Sequence, residues 1–347
     1  MEQNIFSEIP MRTWRWLGVN EARIPENLNG DIKKQQILVE AGKTDEVVIT
    51  NRESGQYELQ VHIADGAKLH LVNVQLVAAD KPYTSKVRVY VGKGATFSYT
   101  VVEAGALHSA TELSVDMAGD DSVSDIWGLY FGDGERLLDL NYVVRQAGRH
   151  TNANMQVRGA LLGKSEKNFR GTLDFIEGSK GSVGREDEEV VLLSPDVRNR
   201  SVPIMLSHED DVDGHHAVSV GKMDENKLFY LMSRGLDMAE AQRLVVEAAF
   251  NPVLDRIPDA ELKQEINLKP KPVKPIQQPV NNETVLSSEN QVNNLPQKPQ
   301  TPNTVAEKAP TIKHKPQATP KEIAVKPEKT ATSKPVAKPM QKPPTPV

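Results

Sequence analysis

Three of the eight histidines, His208, His215 and His216, fall within a stretch of twenty residues, 206–225, that also holds six carboxylates: Glu209, Asp210, Asp211, Asp213, Asp224 and Glu225. Imidazole nitrogen suits iron and similar transition ions, and carboxylate oxygen suits harder cations. The segment has two readings. His208, Glu209, Asp210, Asp211 and Asp213 together with His216 would make a hard-metal or mononuclear iron site. Alternatively the acidic run is a solvated edge that keeps a strand from pairing wrongly. On a strand, neighbouring side chains point to opposite faces. His215 and His216 then cannot serve one ion, and His215 is expected at the rim. Glu186, Asp187, Glu188 and Glu189 are expected to be a solvated edge as well. The chain has no cysteine, which excludes disulfides, thiolate metal ligands and any cysteine-held iron–sulfur cluster on this chain alone.

The elements that must position these groups are strands. Apolar residues alternate through Ile37–Val39, Val47–Ile49, Tyr57–Ile63, Leu69–Val77, Lys86–Val91, Leu113–Met117 and Leu138–Val144. A period of two marks half-buried strands, and no helical period interrupts them before Asp224. Gly66, Gly94, Gly119 and Gly148 recur at intervals of 25–29 residues within similar short segments. That spacing fits stacked coils, each too small to bury a core alone. The expected fold is therefore all-β, a parallel β-helix rather than a sandwich or barrel. After Val220 the period changes. Asp224 caps a first helix that Gly235 ends, and Asp237 and Glu240 form a capping box for a second. Met238, Ala241, Leu244, Val245, Ala248 and Ala249 are expected on its buried face, with Pro252 and Pro258 closing it. This helical hairpin is expected to cap the open end of the solenoid.

Four regions follow: a lead over 1–30, a β-helix core over 31–222, a helical region over 223–262 and a tail over 263–347. Met11–Trp16 of the lead carries Trp14 and Trp16, expected to pin it to the body. From Leu268 onward the chain has sixteen of its twenty-three prolines, with thirteen lysines against five glutamates, a net +8. Such a composition favours an extended polyproline-like spacer that builds no core. The body is then −13 in a chain of net −5, which argues against a nucleic-acid surface. No apolar run reaches the roughly 20 residues of a membrane span. Nothing at the start reads as an export signal, so the expected location is cytoplasmic.

The order of motifs is that of a known family. Asp210-Asp211-Val212 through His216, then Val220-Gly221-Lys222-Met223-Asp224-Glu225, then Leu228-Phe229-Tyr230-Leu231-Met232-Ser233-Arg234-Gly235, resembles the SufB/SufD family of iron–sulfur cluster assembly scaffolds. Ser201-Val202-Pro203 and Met11–Trp16 fit it too. The short lead and the missing cysteine look more like the SufD branch. The resemblance implies a right-handed parallel β-helix and a heterodimer with a SufB-like subunit, joined through the β-helices. It also implies a SufC-like ABC ATPase docked on the helical region, where Leu228, Phe229, Tyr230, Arg234 and Leu244 would face it. It places His216 on the family's functional histidine, an iron or nascent-cluster ligand at the subunit interface. Gly214 stands where some members have a cysteine, so any thiolates would come from the partner. The chain alone would then hold no stable cofactor, and the cluster would be transient on the complex.

Two rival functions stay open on sequence. A β-helix polysaccharide-active enzyme would show paired carboxylates along an open groove. A small His/carboxylate metal-binding protein would hold a stoichiometric ion by itself.

Overall fold

The structure, a computed structural model, describes residues 18–26, 28 and 30–267. Trp14, Trp16 and the tail from Leu268 lie outside the described residues. The strands, in chain order, are β1 (Lys33–Val39), β2 (Thr44–Asn51), β3 (Gly55–Ile63), β4 (Lys68–Gln75), β5 (Pro82–Val91), β6 (Thr96–Glu103) and β7 (His108–Met117), then β8 (Val123–Gly132), β9 (Leu137–Gln146), β10 (Asn152–Leu161), β11 (Glu166–Phe175), β12 (Ser182–Leu192), β13 (Arg198–Ser207) and β14 (Val212–Lys222). Odd and even strands form two separate seven-stranded sheets, and every pairing within them is parallel. The chain therefore crosses from one sheet to the other at every turn, which is the expected parallel β-helix. Successive rungs lie between 24 residues apart (Lys33 opposite Tyr57) and 32 apart (Glu166 opposite Arg198).

Inward residues of both sheets fill the lumen. Val61, Val89, Val115, Val144 and Leu173 stack as one column on the odd sheet, each 0–1% exposed. Full burial of one such side chain contributes about 1.5–3 kcal/mol, so the column alone is a large share of the fold's cohesion.

The turns between the even and odd sheets show how the coils are held in step. Gly42, Gly66, Gly94, Asp121, His150 and Gly181 all have φ between 52° and 69°. The N–H of each donates to a carbonyl one coil further on, from Gly42 to Asp65 through His150 to Lys180, at 2.7–3.0 Å. Asp and His tolerate this left-handed conformation better than most residues with a side chain. The repeat visible in the sequence was thus mixed: Gly119 and Gly148 belong to a different position, stacked over Gly92. A Cβ on Gly119 would lie 2.1 Å from the Lys93 nitrogen, and one on Gly148 2.3 Å from the Gly119 oxygen. Close backbone approach, not φ, requires glycine there.

Three helices follow: α1 (Glu225–Ser233), α2 (Met238–Leu254) and α3 (Ala260–Asn267). Asp224 accepts from the N–H groups of Asn226 and Lys227, and the Asp237–Glu240 capping box is formed. The hairpin does not cap the end of the solenoid. It lies along the outer face of the even sheet, where Val72, Val74, Val102, Leu129 and Phe131 meet Val246, Phe250, Val253 and Leu254. Strands such as β4 are therefore buried on both faces over most of their length. The buried face of α2 also differs from the expected one. Ala241, Val246, Phe250, Val253 and Leu254 are buried, while Met238 and Leu244 are 41% and 39% exposed. Pro252 sits inside α2 rather than ending it. The helical region continues past 262 into α3, where Leu262 and Ile266 are buried and Glu265 takes both terminal nitrogens of Arg52 at 2.6 and 2.8 Å.

On the odd sheet, residues 18–24 cover part of the outer face. Val19 is buried, Arg23 reaches Asp139 through its N–H and Glu166 through its guanidinium, and the Arg23 carbonyl meets His108 Nε2 at 2.8 Å. Arg170, fully buried beneath them, pairs with Asp139.

Candidate functional site at the open end of the solenoid

The last coil is β13 and β14. Each forms the edge of its sheet, paired on one side only among the described residues. Alternation fixes which of its side chains look into the lumen. Glu186, Glu188 and Val190 of β12 are 0–2% exposed and point inward. Directly opposite them in register stand His216, Val218 and Val220 of β14. These three share the inward face, yet all are exposed because no further coil covers them.

His215, one residue away, stands opposite Arg185 on the outer face, and its Nε2 meets Asp213 at 2.9 Å. The expected split between the two histidines is what the strand produces. The acidic run serves a turn. Glu209 accepts from the N–H groups of Asp211, Asp210 and Gly178, and these bonds, that of Asp211 first, lower its pKa. His208 lies 3.9 Å from Asp174. Among the described residues no group of three or more His, Asp or Glu side chains is arranged to hold a metal ion, so of the two readings of this segment the hard-metal one finds no such group there.

Beneath the open end the lumen is charged. This corrects the expectation of a solvated edge at 186–189, which holds for the outward Asp187 and Glu189 but not for Glu186 and Glu188. Lys167 and Glu188, both with side chains 0% exposed, form an ion pair. Tyr130 donates to Glu188 at 2.9 Å, and Lys167 reaches the Ser201 hydroxyl at 3.0 Å. Burial pushes the Lys167 pKa down, against the pull of Glu188. Glu186 is different. It is 2% exposed, and neither carboxylate oxygen has a hydrogen-bond partner. Burial and the neighbouring Glu188 raise its pKa to about 8, with Lys167 opposing. Its carboxylate reaches across the lumen to Gly171 of β11, where a Cβ would stand 2.3 Å from Oε1. Sequence reasoning missed this group. Its signal was the period-two placement of Glu186 and Glu188 on the same face as Val190.

Beside the last coil, α1 and α2 present an apolar outer surface. Phe229 is 75% exposed, Tyr230 57% and Leu244 39%, with Met232 and Met238 near 40%. The Arg234 guanidinium stacks over the Tyr230 ring at 5.3 Å. Leu228 turns the other way and is buried among the helices. A groove of ≈ 670 Å³ separates the hairpin from the wall, lined by Glu189, Val191 and Lys222 on one side and Leu231, Leu244 and Val245 on the other. No helix among the described residues is long and apolar enough to cross a membrane.

The class the structure defines is a two-sheet parallel β-solenoid with helices laid along one flank and, among the described residues, an uncovered last coil. Residues 26–249 match the family model described as SUF system FeS cluster assembly, SufBD core domain, and the chain belongs to that family of iron–sulfur cluster assembly proteins. It is 29% identical over 156 residues to the iron–sulfur cluster assembly protein SufD of Bacillus subtilis, covering 45% of this chain and 36% of that protein. It is 27% identical over 230 residues to a SufBD family protein of Mycobacterium leprae, covering 63% and 59%, and 28% identical over 215 residues to one of Pyrococcus horikoshii, covering 60% and 47%. The chain thus spans between about a third and three fifths of the lengths of these relatives.

Proposed function

We propose that the chain is a SufD-like, non-enzymatic scaffold subunit that builds iron–sulfur clusters only as part of a complex. Its last coil pairs with the corresponding coil of a SufB-like subunit, which extends the parallel sheets and closes the lumen. His216 then lies at the seam, where its imidazole meets iron or the nascent cluster, the complex's cargo. With no cysteine of its own, the chain depends on the partner for thiolates. The exposed face of α1 and α2, with Phe229, Tyr230, Arg234 and Leu244, takes a SufC-like ABC ATPase. Nucleotide-driven motion of that ATPase shifts the two scaffold chains against each other and opens the seam. The setting is cytoplasmic, with neither nucleic acid nor membrane as a partner.

The observation that supports this most is the last coil itself. Among the described residues β13, of 10 residues, and β14, of 11, are each paired on one side only, and the inward His216, Val218 and Val220 are left exposed. Natural sheets rarely leave such edges free unless a partner uses them. The experiment is co-expression of the tagged chain with SufB-like and SufC-like proteins. Retention of both at moderate salt is expected, and retention of neither overturns the reading. His216→Ala is expected to keep the complex and lower its cluster yield; an unchanged yield removes the role of His216 while leaving the scaffold.

A further inference from the structure

Glu186 is an arrangement that folding alone does not favour. A carboxyl group 2% exposed, with both oxygens unpartnered, costs free energy that a leucine or valine at the same inward position would not. Among the described residues no other buried carboxylate has both oxygens without a partner. Its luminal neighbour Glu188 differs: one oxygen, Oε1, is held by both Lys167 and Tyr130, and only Oε2 lacks a partner. The seat for the Glu186 carboxylate is also made: Gly171 opposite it lacks the Cβ that would fill the space. Directly above Glu186, in parallel register on the same face, stands His216. Adjacent strands lie about 4.8 Å apart, so the two side chains occupy neighbouring layers of the same end of the lumen.

We propose that Glu186 and His216 form a two-donor half-site for a divalent first-row transition ion, one carboxylate oxygen and one imidazole nitrogen, completed by donors of the chain that covers the last coil. This rests on the reading of His216 above and adds a second residue of this chain to it. The donor set explains the orphaned oxygens, since a cation is the partner they lack. It explains the position as well: Glu186 sits one layer in from the opening, where the ion would be held within the lumen and not at the rim. The Lys167–Glu188 pair is neutral in sum, which leaves Glu186 as the luminal carboxyl group without a cationic partner. A mixed nitrogen and oxygen set suits ferrous iron and cobalt(II). Two donors alone make a weak site, consistent with the lack of a three-ligand cluster among the described residues.

The test uses the complex of this chain with its SufB-like and SufC-like partners, titrated with cobalt(II) and followed by visible absorption. Glu186→Gln, nearly isosteric, is expected to weaken binding at least about ten-fold, as ligand-sphere changes typically do. Gly171→Ala, whose Cβ takes the carboxylate's seat, is expected to weaken it similarly. Asp187→Asn, on the outer face of the same strand, is expected to bind as the wild type does. Thermal melting of the isolated chain supplies a readout independent of metal, and Glu186→Gln is expected to melt no lower than wild type. Wild-type affinity in Glu186→Gln alongside weakened binding in His216→Ala overturns the role of Glu186 and leaves His216 standing. Wild-type affinity in both variants overturns the two together. A lower melting temperature for Glu186→Gln marks the residue as structural and equally overturns the proposal.

Discussion

Val190 and Val220 face each other in register on the same sheet, with side chains on the same face, yet Val190 is 2% exposed and Val220 45%. The same contrast separates Glu186 from His216 and Glu188 from Val218. One coil of wall accounts for all of it. In the coils between the first and the last, each inward side chain has a neighbour above and below. In the last coil the neighbour above is missing. Sequence pattern, strand length and register are alike in the two coils, so the difference arises from position along the stack. A solenoid core ends wherever the stack ends, and the open end exposes side chains that elsewhere in the stack are covered by the next coil.

The sharpest way to break the comparison is to disturb the closed part. The Tyr130 ring lies over Gly159, where a Cβ would come within 1.9 Å of Cζ. Gly159→Ala is expected to destabilise by about 3 kcal/mol or more, read by denaturant unfolding, because the ring that anchors Glu188 has nowhere to go. A paired experiment sharpens the contrast. Val144→Ala, in the fully buried column, is expected to cost about 2 kcal/mol. Val218→Ala is expected to change the lone chain by less than about 0.5 kcal/mol and to weaken its association with the SufB-like partner. Equal losses in the isolated chain would remove the distinction between the coils.

The smallest effect concerns pH. Glu103, closed within the wall, has its pKa raised by burial from 4.5 to about 8, with the nearby Thr111 opposing. The folded chain therefore keeps this proton up to about pH 8, while the unfolded chain releases it near pH 4.5. Between those values the native state binds more protons, so stability falls as pH rises. Melting temperature is expected to decline from pH 5 to pH 8, less steeply in Glu103→Gln. An identical slope in the variant would show that Glu103 ionises freely in the folded chain.

Much of this was legible in the residues. Strict alternation named the strands, recurring glycines gave the coil length, and adjacent histidines on a strand had to part company. The Asp224 and Asp237 caps marked both helix starts. Other features depended on stacking that no local pattern carries. Asp121 and His150 occupy the left-handed turn position in two coils, hidden because glycine fills it in the others. The covered flank was missed because a hairpin that caps an end and one that lies along a side have the same amphipathic sequence. Phe250, Val253 and Leu254 shift the buried face of α2 away from Met238 and Leu244. Glu186 looked like part of a charged run, since burial at that position depends on having His216 and Pro203 one layer above.

The central claim is that the last coil is open in the lone chain and closed by a SufB-like subunit. Since the chain has no cysteine, Val218→Cys places a single thiol there without background. The measurement is the rate at which a maleimide modifies it, alone and in the purified complex. The account predicts rapid modification of the isolated chain and strong protection in the complex. Equal rates in a complex that demonstrably holds the SufB-like partner would contradict it.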